Sequence, residues 1–89
     1  MKVIRVTALW CMSCLTMKKT WKKVFKEMPN LEIIDYDYDF DSEIVQELHI
    51  GKILPELIVY KNNQEVTRII GEKTKKQLET IFEGLDEDN

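Results

Sequence analysis

An α/β domain with helices on both faces of a mixed sheet is the fold class that three features of this chain predict. Strand-type and helix-type segments alternate along its 89 residues, Cys11 and Cys14 sit at the first strand-to-helix junction, and the last third opens with a hairpin pattern. Val3 to Ala8, rich in Val and Ile, reads as the first strand and runs into the cysteines without a Gly or Pro break. From Met12 to Met28 the period becomes helical. Cys14, Met17, Trp21, Val24 and Met28 share one stripe, and Lys18, Lys19, Lys22, Lys23 and Lys26 fall largely on the other faces. Pro29-Asn30 stops this helix, and Leu31 to Tyr38 reads as a second strand centred on Ile33 and Ile34. Asp41-Ser42 supplies an N-cap for a short helix carrying Ile44, Val45 and Leu48, which Gly51 ends. After Pro55, Leu57 to Tyr60 is a strand, Asn62-Asn63 a tight turn and Val66 to Ile70 the return strand. Thr74 and Gln77 form a capping box before Leu78, Ile81, Phe82 and Leu85 at helical spacing. Residues 1–89 are expected to form a single domain with an acidic, frayed tail over 86–89.

Composition bounds the function. The chain is 44% hydrophobic and 33% charged, which fits a globular protein, and it carries no run that approaches a membrane span. A net charge of −3 argues against nucleic acid as a partner, because the phosphate backbone calls for a basic surface. Two cysteines are too few for a disulfide scaffold. Met1 leads directly into Lys2-Val-Ile-Arg-Val, without the apolar core of a signal peptide, so a reducing cytoplasm is the expected location.

The pair Trp10-Cys-Met-Ser-Cys14 carries the chemistry. A thiol at a helix N-terminus meets unpaired backbone N–H groups and the positive end of the peptide dipoles, both of which favour thiolate. Cys14, one turn on, starts the buried stripe, and Cys11 is expected nearer the surface. This asymmetry suits an attacking and a resolving thiol in reversible thiol–disulfide exchange. The same motif can hold Zn or Cu(I), with Met12 and Met17 as soft neighbours, but a closed zinc site needs two more ligands and His49 is the sole histidine. His49 itself reads as a packing or helix-end residue. Asp35, Asp37, Asp39 and Asp41 alternate with aromatics but lack the Gly and distal Glu of a calcium loop, so a strand with one acidic edge is expected. The five lysines of the first helix read as a solvated face that could steer acidic partners.

Taken together, Trp10-Cys-Met-Ser-Cys14, Asp37-Tyr-Asp39, Ile53-Leu-Pro55 ahead of the hairpin and Arg68-Ile-Ile-Gly71 ahead of the last helix resemble the thioredoxin family. The resemblance spans nearly the whole chain. It implies a thioredoxin fold, β-α-β-α-β-β-α, with a four-stranded mixed sheet in the order second, first, third, fourth and helices on both faces. It further implies a dithiol oxidoreductase, active as a monomer without cofactor or metal, that reduces disulfide-bearing protein substrates and is recycled by a reductase. Carried over by position, Cys11 is the attacking thiol, Cys14 the resolving thiol and Trp10 a flank of the active surface. Pro55 is the family's cis-proline, which leaves the backbone at Leu54 free to pair with substrate. A non-enzymatic binding module on the same fold is the third reading.

Four departures from the family pattern bear on the chemistry. Met-Ser separates the cysteines, Arg5 stands where the family has a buried acid, Glu56 follows Pro55 where threonine is common, and the first helix lacks a proline. Direction of electron flow and the proton acceptor of Cys14 therefore stay open. Glu56 is a candidate either to oppose thiolate formation or to take the missing acid's role, and a straighter first helix is expected.

Overall fold

The computed structural model describes residues 1–86. Its elements are β1 Lys2–Thr7, α1 Met12–Lys26, β2 Glu32–Asp37, α2 Ser42–Glu47, β3 Glu56–Lys61, β4 Gln64–Ile70 and α3 Lys75–Asp86. The strands lie in the order β2-β1-β3-β4, with β1 parallel to β2 and antiparallel to β3, and with β3 and β4 joined as an antiparallel hairpin. This is the thioredoxin arrangement. Strand alternation divides the core in two. Val3, Leu57, Val59 and Ile69 pack with Met17, Trp21 and Val24 of α1 and with Leu78 and Phe82 of α3. Ile4, Val6 and Ile58 point to the other face, where they meet Val45 of α2 and, at the end of β1, Ala8, Cys11, Cys14 and Leu54. Each fully buried side chain of this size contributes about 1.5–3 kcal/mol, so the fully covered Leu78 and Ile58 hold their layers firmly.

Local signals explain most boundaries. In the hairpin, Asn62 and Asn63 have φ of 54° and 65°, the left-handed pair that a two-residue turn between twisted strands requires. The capping box is formed as expected: Gln77 N donates to Thr74 Oγ1 at 3.1 Å, and Thr74 N to Gln77 Oε1 at 2.8 Å. Helix α1 runs without interruption to Lys26, two residues short of the expected Met28. Met28 precedes Pro29, whose ring disfavours a helical backbone before it.

Four expectations need correction. Gly51 does not end α2; His49 does, at φ 56°, with its N–H on Gln46 O and the Ile50 N–H on Val45 O, both 3.1 Å. That double bond pattern closes the last carbonyls and makes the left-handed residue, here a histidine, the stop. Asp41 sits at the N-cap of α2 but makes no cap bond with its side chain. Its Oδ2 instead accepts the Asp37 N–H at 2.8 Å, while Asp37 Oδ1 accepts from Asp39 N and Phe40 N, at 2.8 and 2.9 Å. The acidic run is thus strand only as far as Asp37, and the later aspartates shape a turn. Asp86 closes α3 rather than opening a frayed tail, and positions 87 to 89 of that tail lie outside the described residues.

Two charge systems sit on the sheet. Arg5 makes a bidentate pair with Asp35, at 2.6 and 3.0 Å, and its guanidinium lies 4.9 Å over the Trp21 ring. Arg68 donates to buried Glu56 at 2.8 Å and to Glu65 at 2.7 and 3.1 Å. Hydrogen bonding to Arg68 holds the Glu65 carboxyl below its ordinary value, against a weaker opposing effect of burial. The same bonds to Glu65, with those to Glu56, raise Arg68.

Candidate active site

Cys11 is the N-cap of α1, with extended dihedrals (φ −88°, ψ 105°) that turn its side chain back over the first turn. Its Sγ accepts the Cys14 N–H at 3.1 Å, which satisfies one of the donors left open at a helix start. A cap position usually held by a hydroxyl or carboxylate is therefore held by sulfur. The backbone is fixed on both sides, by Cys11 N on Ala8 O at 3.1 Å and by Leu15 N on Cys11 O at 3.3 Å. Cys11 and Cys14 are joined as a disulfide, with their Cα atoms 5.2 Å apart. The expected contrast in exposure is small. Cys11 is 6% exposed and Cys14 3%, both buried in the cluster that includes Ala8 and Leu54.

The other residues singled out by the sequence gather at this end of the sheet. Leu54 is buried in the same cluster as both cysteines, and the Leu54–Pro55 peptide is cis, with Pro55 buried and its carbonyl accepting the Gly71 N–H at 2.8 Å. Trp10 is exposed at the rim. Its Nε1 donates to Asp39 Oδ2 at 2.7 Å, and its ring meets Tyr38 edge-on with centroids 6.0 Å apart.

Exposed apolar side chains accompany these residues, and of them Leu9 and Phe40 had no part in the sequence argument for the site. Leu9, Met12, Phe40 and Ile53 are exposed apolar side chains, in the segments just before and after Cys11 and in the loops leading into α2 and β3. Adjacency to the cysteines marks Leu9, Met12 lies between them and Ile53 belongs to the segment before Pro55, whereas nothing local marks Phe40, whose exposure is decided by the fold. Ser13, between the cysteines, donates to Glu72 Oε2 at 2.9 Å across 59 positions of chain. A groove of about 890 Å³ runs along α1 and the edge strand β2, lined among others by Cys14, Lys18, Trp21, Lys22, Arg5 and Asp35.

Glu56 is engaged by partners other than the cysteines. Its carboxylate is 2% exposed, receives Arg68 of β4 on Oε2 and the Gly51 N–H on Oε1 at 3.3 Å, and is thereby tied to β4 and to the loop before β3. Arg5, where the family carries an acid, is likewise committed, to Asp35. Among the described residues no three His, Cys, Asp or Glu side chains converge as metal ligands, and no helix is long and apolar enough to cross a membrane.

Comparison with known proteins agrees with this geometry. The thioredoxin family model matches residues 1–83. A thioredoxin H-type of Fagopyrum esculentum is 28% identical over 79 residues, covering 89% of this chain and 67% of that protein. A thioredoxin of Chlamydia trachomatis is 30% identical over 71 residues, covering 80% of this chain and 69% of its own. The crystal structure of thioredoxin from Trypanosoma brucei brucei superposes with a TM-score of 0.87 at 26% identity, over 98% of this chain and 75% of that one. With Cys11 and Cys14 paired at the head of α1, these relatives support a dithiol redox function, that of a protein-disulfide oxidoreductase, over the metal-binding alternative. Disulfide-bearing proteins and recycling reductases are the partners of such proteins. Matched from its first strand into its last helix, the chain belongs to the thioredoxin family.

Proposed function

We propose that this chain, as a single monomeric domain in the cytoplasm, reduces protein disulfides through Cys11 as nucleophile and Cys14 as resolving thiol. The Cys11 thiolate attacks one sulfur of the substrate disulfide. That bond breaks, a substrate thiolate leaves and takes up a proton, and a mixed disulfide joins Cys11 to the substrate. Cys14 then gives up its proton and attacks the Cys11 sulfur, so that the second substrate thiol departs and two electrons have passed to the substrate. A reductase supplies the two electrons that reopen the Cys11–Cys14 disulfide. Trp10 and the backbone at Leu54, next to Pro55, hold the substrate segment, and no metal or organic cofactor takes part.

One observation carries this reading: the Cys11 sulfur caps α1, where the Cys14 N–H already donates to it. A donor aimed at sulfur favours its ionised form. A Cys14→Ser variant expressed in cells is expected to retain protein partners on Cys11 through bonds that dithiothreitol releases. Recovery of no protein, only small thiols, would overturn the protein-disulfide assignment.

Lys18, Lys22 and Lys26 line the groove that reaches Cys14 and set a row of positive charge along α1 behind the thiols. They make acidic partners the favoured substrates by steering encounter. Reduction of an acidic protein substrate is therefore expected to slow several-fold between low salt and about 0.15 M, where the screening length is about 8 Å. A salt-independent second-order rate would reduce the lysines to a solvated face.

A further inference from the structure

The dipeptide between the cysteines brings a carboxylate to the head of α1. Ser13 lies in the first turn, and its Oγ donates to Glu72 Oε2 at 2.9 Å. The turn that carries Glu72 is fixed at several points. Gly71, at φ 83°, donates its N–H to Pro55 O at 2.8 Å, and the Lys73 N–H meets Met17 Sδ at 3.5 Å. Lys73 Nζ caps the carbonyls of Ile70 and Glu72, at 2.7 and 3.3 Å. Glu72 is thus held in place by its own turn and by Ser13, at the helix end whose positive potential must stabilise a Cys11 thiolate.

We propose that Glu72 is a positioning residue which, held by Ser13, sets the proton affinity of Cys11 and with it the redox poise of the dithiol. This rests on Cys11 being the attacking thiol. A negative charge tied to the first turn opposes the thiolate through space and offsets the helix dipole that favours it, even though Glu72 is itself exposed. It therefore keeps a larger share of Cys11 protonated, leaves the reduced form less stabilised and makes the domain a stronger reductant.

Other charges surround the pair. Lys73 belongs to the same turn and is engaged on the two carbonyls. Asp39 accepts from Trp10, Lys52 lies exposed in the loop before β3, and Glu56 is paired with Arg68. Along the groove lined by Cys14 stand Lys18, the Arg5–Asp35 pair, and Asp37 and Asp41 with their backbone partners. Among the described residues, Glu72 alone reaches from another element to a side chain between the cysteines.

The test compares wild type, Glu72→Gln and Ser13→Ala, each also carrying Cys14→Ser, by alkylation of Cys11 with iodoacetamide across pH. Glutamine keeps an acceptor for Ser13 while removing the charge. Its alkylation midpoint is expected to fall, with about threefold more thiolate at any pH below the midpoint. Ser13→Ala frees the carboxylate to turn toward water and is expected to lie between the two. With Cys14 restored, at a pH above the Cys11 midpoint, Glu72→Gln should shift the equilibrium with glutathione about threefold toward the reduced domain, or about 14 mV at 29.6 mV per tenfold. A Cys11 midpoint well below that of a free thiol that neither substitution moves would reduce Glu72 to a structural tie and overturn the inference. A midpoint equal to that of a free thiol in every variant would instead overturn the assignment of Cys11 as the activated nucleophile.

Discussion

Cys11→Ser is expected to reduce disulfide-reductase turnover to background, and Cys14→Ser to spare a single round of attack while removing turnover. The distinction follows from magnitudes. At pH 7 a free thiol of pKa about 8.5 is about 3% ionised, and lowering it to about 7 gives about fifteen times more thiolate. Nucleophilicity falls with basicity at a slope of about 0.4–0.5, which takes back about fivefold over the same interval. Activation by the helix start is thus worth only about threefold in the attack itself. The larger share must come from resolution, where Cys14 stands with its Cα 5.2 Å from that of Cys11. A thiol fixed within reach acts at an effective concentration of about molar order or above, against the millimolar thiols of an assay. Insulin reduction followed with millimolar external thiol should therefore run about a thousandfold slower in Cys14→Ser than in wild type. Rapid mixing with a chromogenic disulfide should still show a stoichiometric first step in Cys14→Ser and none in Cys11→Ser. A stoichiometric first step in Cys11→Ser and none in Cys14→Ser would reverse the two roles. A wild-type rate from Cys14→Ser would leave the second thiol without one.

The site was legible where its chemistry is local. Cys11 and Cys14 announce themselves by spacing, Thr74 and Gln77 by the capping box, and Asn62-Asn63 by their tolerance of left-handed backbone, because each signal lies within four residues. The sheet order came with the family likeness, since pairing partners such as Val3 and Val59 are far apart in sequence. What escaped was whatever depends on distant residues meeting. The near-equal burial of the two cysteines belongs to a cluster that Leu54 joins from a distant loop, and the bond of Ser13 to Glu72 spans 59 positions. Competition among polar groups hid other details. Asp41 could have capped α2 with its side chain, but its carboxylate serves the Asp37 N–H, and the stop assigned to Gly51 fell to His49. Both outcomes are resolved by tertiary packing of the loops, where propensities differ by only about 1 kcal/mol or less.

Arg68→Ala is expected to cause a large loss of stability, and its rescue bears directly on the chemistry of the site. Glu56 is 2% exposed, and Arg68 is the side-chain cation bonded to it. Removing one member of a buried pair strands the other charge, at about 3–5 kcal/mol. The Gly51 N–H that remains on Glu56, together with the 24% exposure of Arg68, which admits water, places the expected loss near the lower end, about 3 kcal/mol. For a domain of this size each kcal/mol moves Tm by about 4–8 °C, so thermal unfolding should shift down by about 12 °C or more. Glu65→Gln breaks only the outer half of the network, where the carboxylate is 39% exposed, and should cost about 1 kcal/mol or less. The double change Glu56→Leu with Arg68→Met removes both buried charges and should recover most of the lost stability, since apolar groups of similar volume replace such pairs at little cost. That variant also separates structure from catalysis. If Glu56 serves only the hairpin, the refolded double variant reduces disulfides at the wild-type rate with an unchanged pH profile. A stable double variant whose turnover falls tenfold or more would make Glu56 the acid that serves Cys14, and the geometry of the Glu56–Arg68 pair would then describe only the oxidised form.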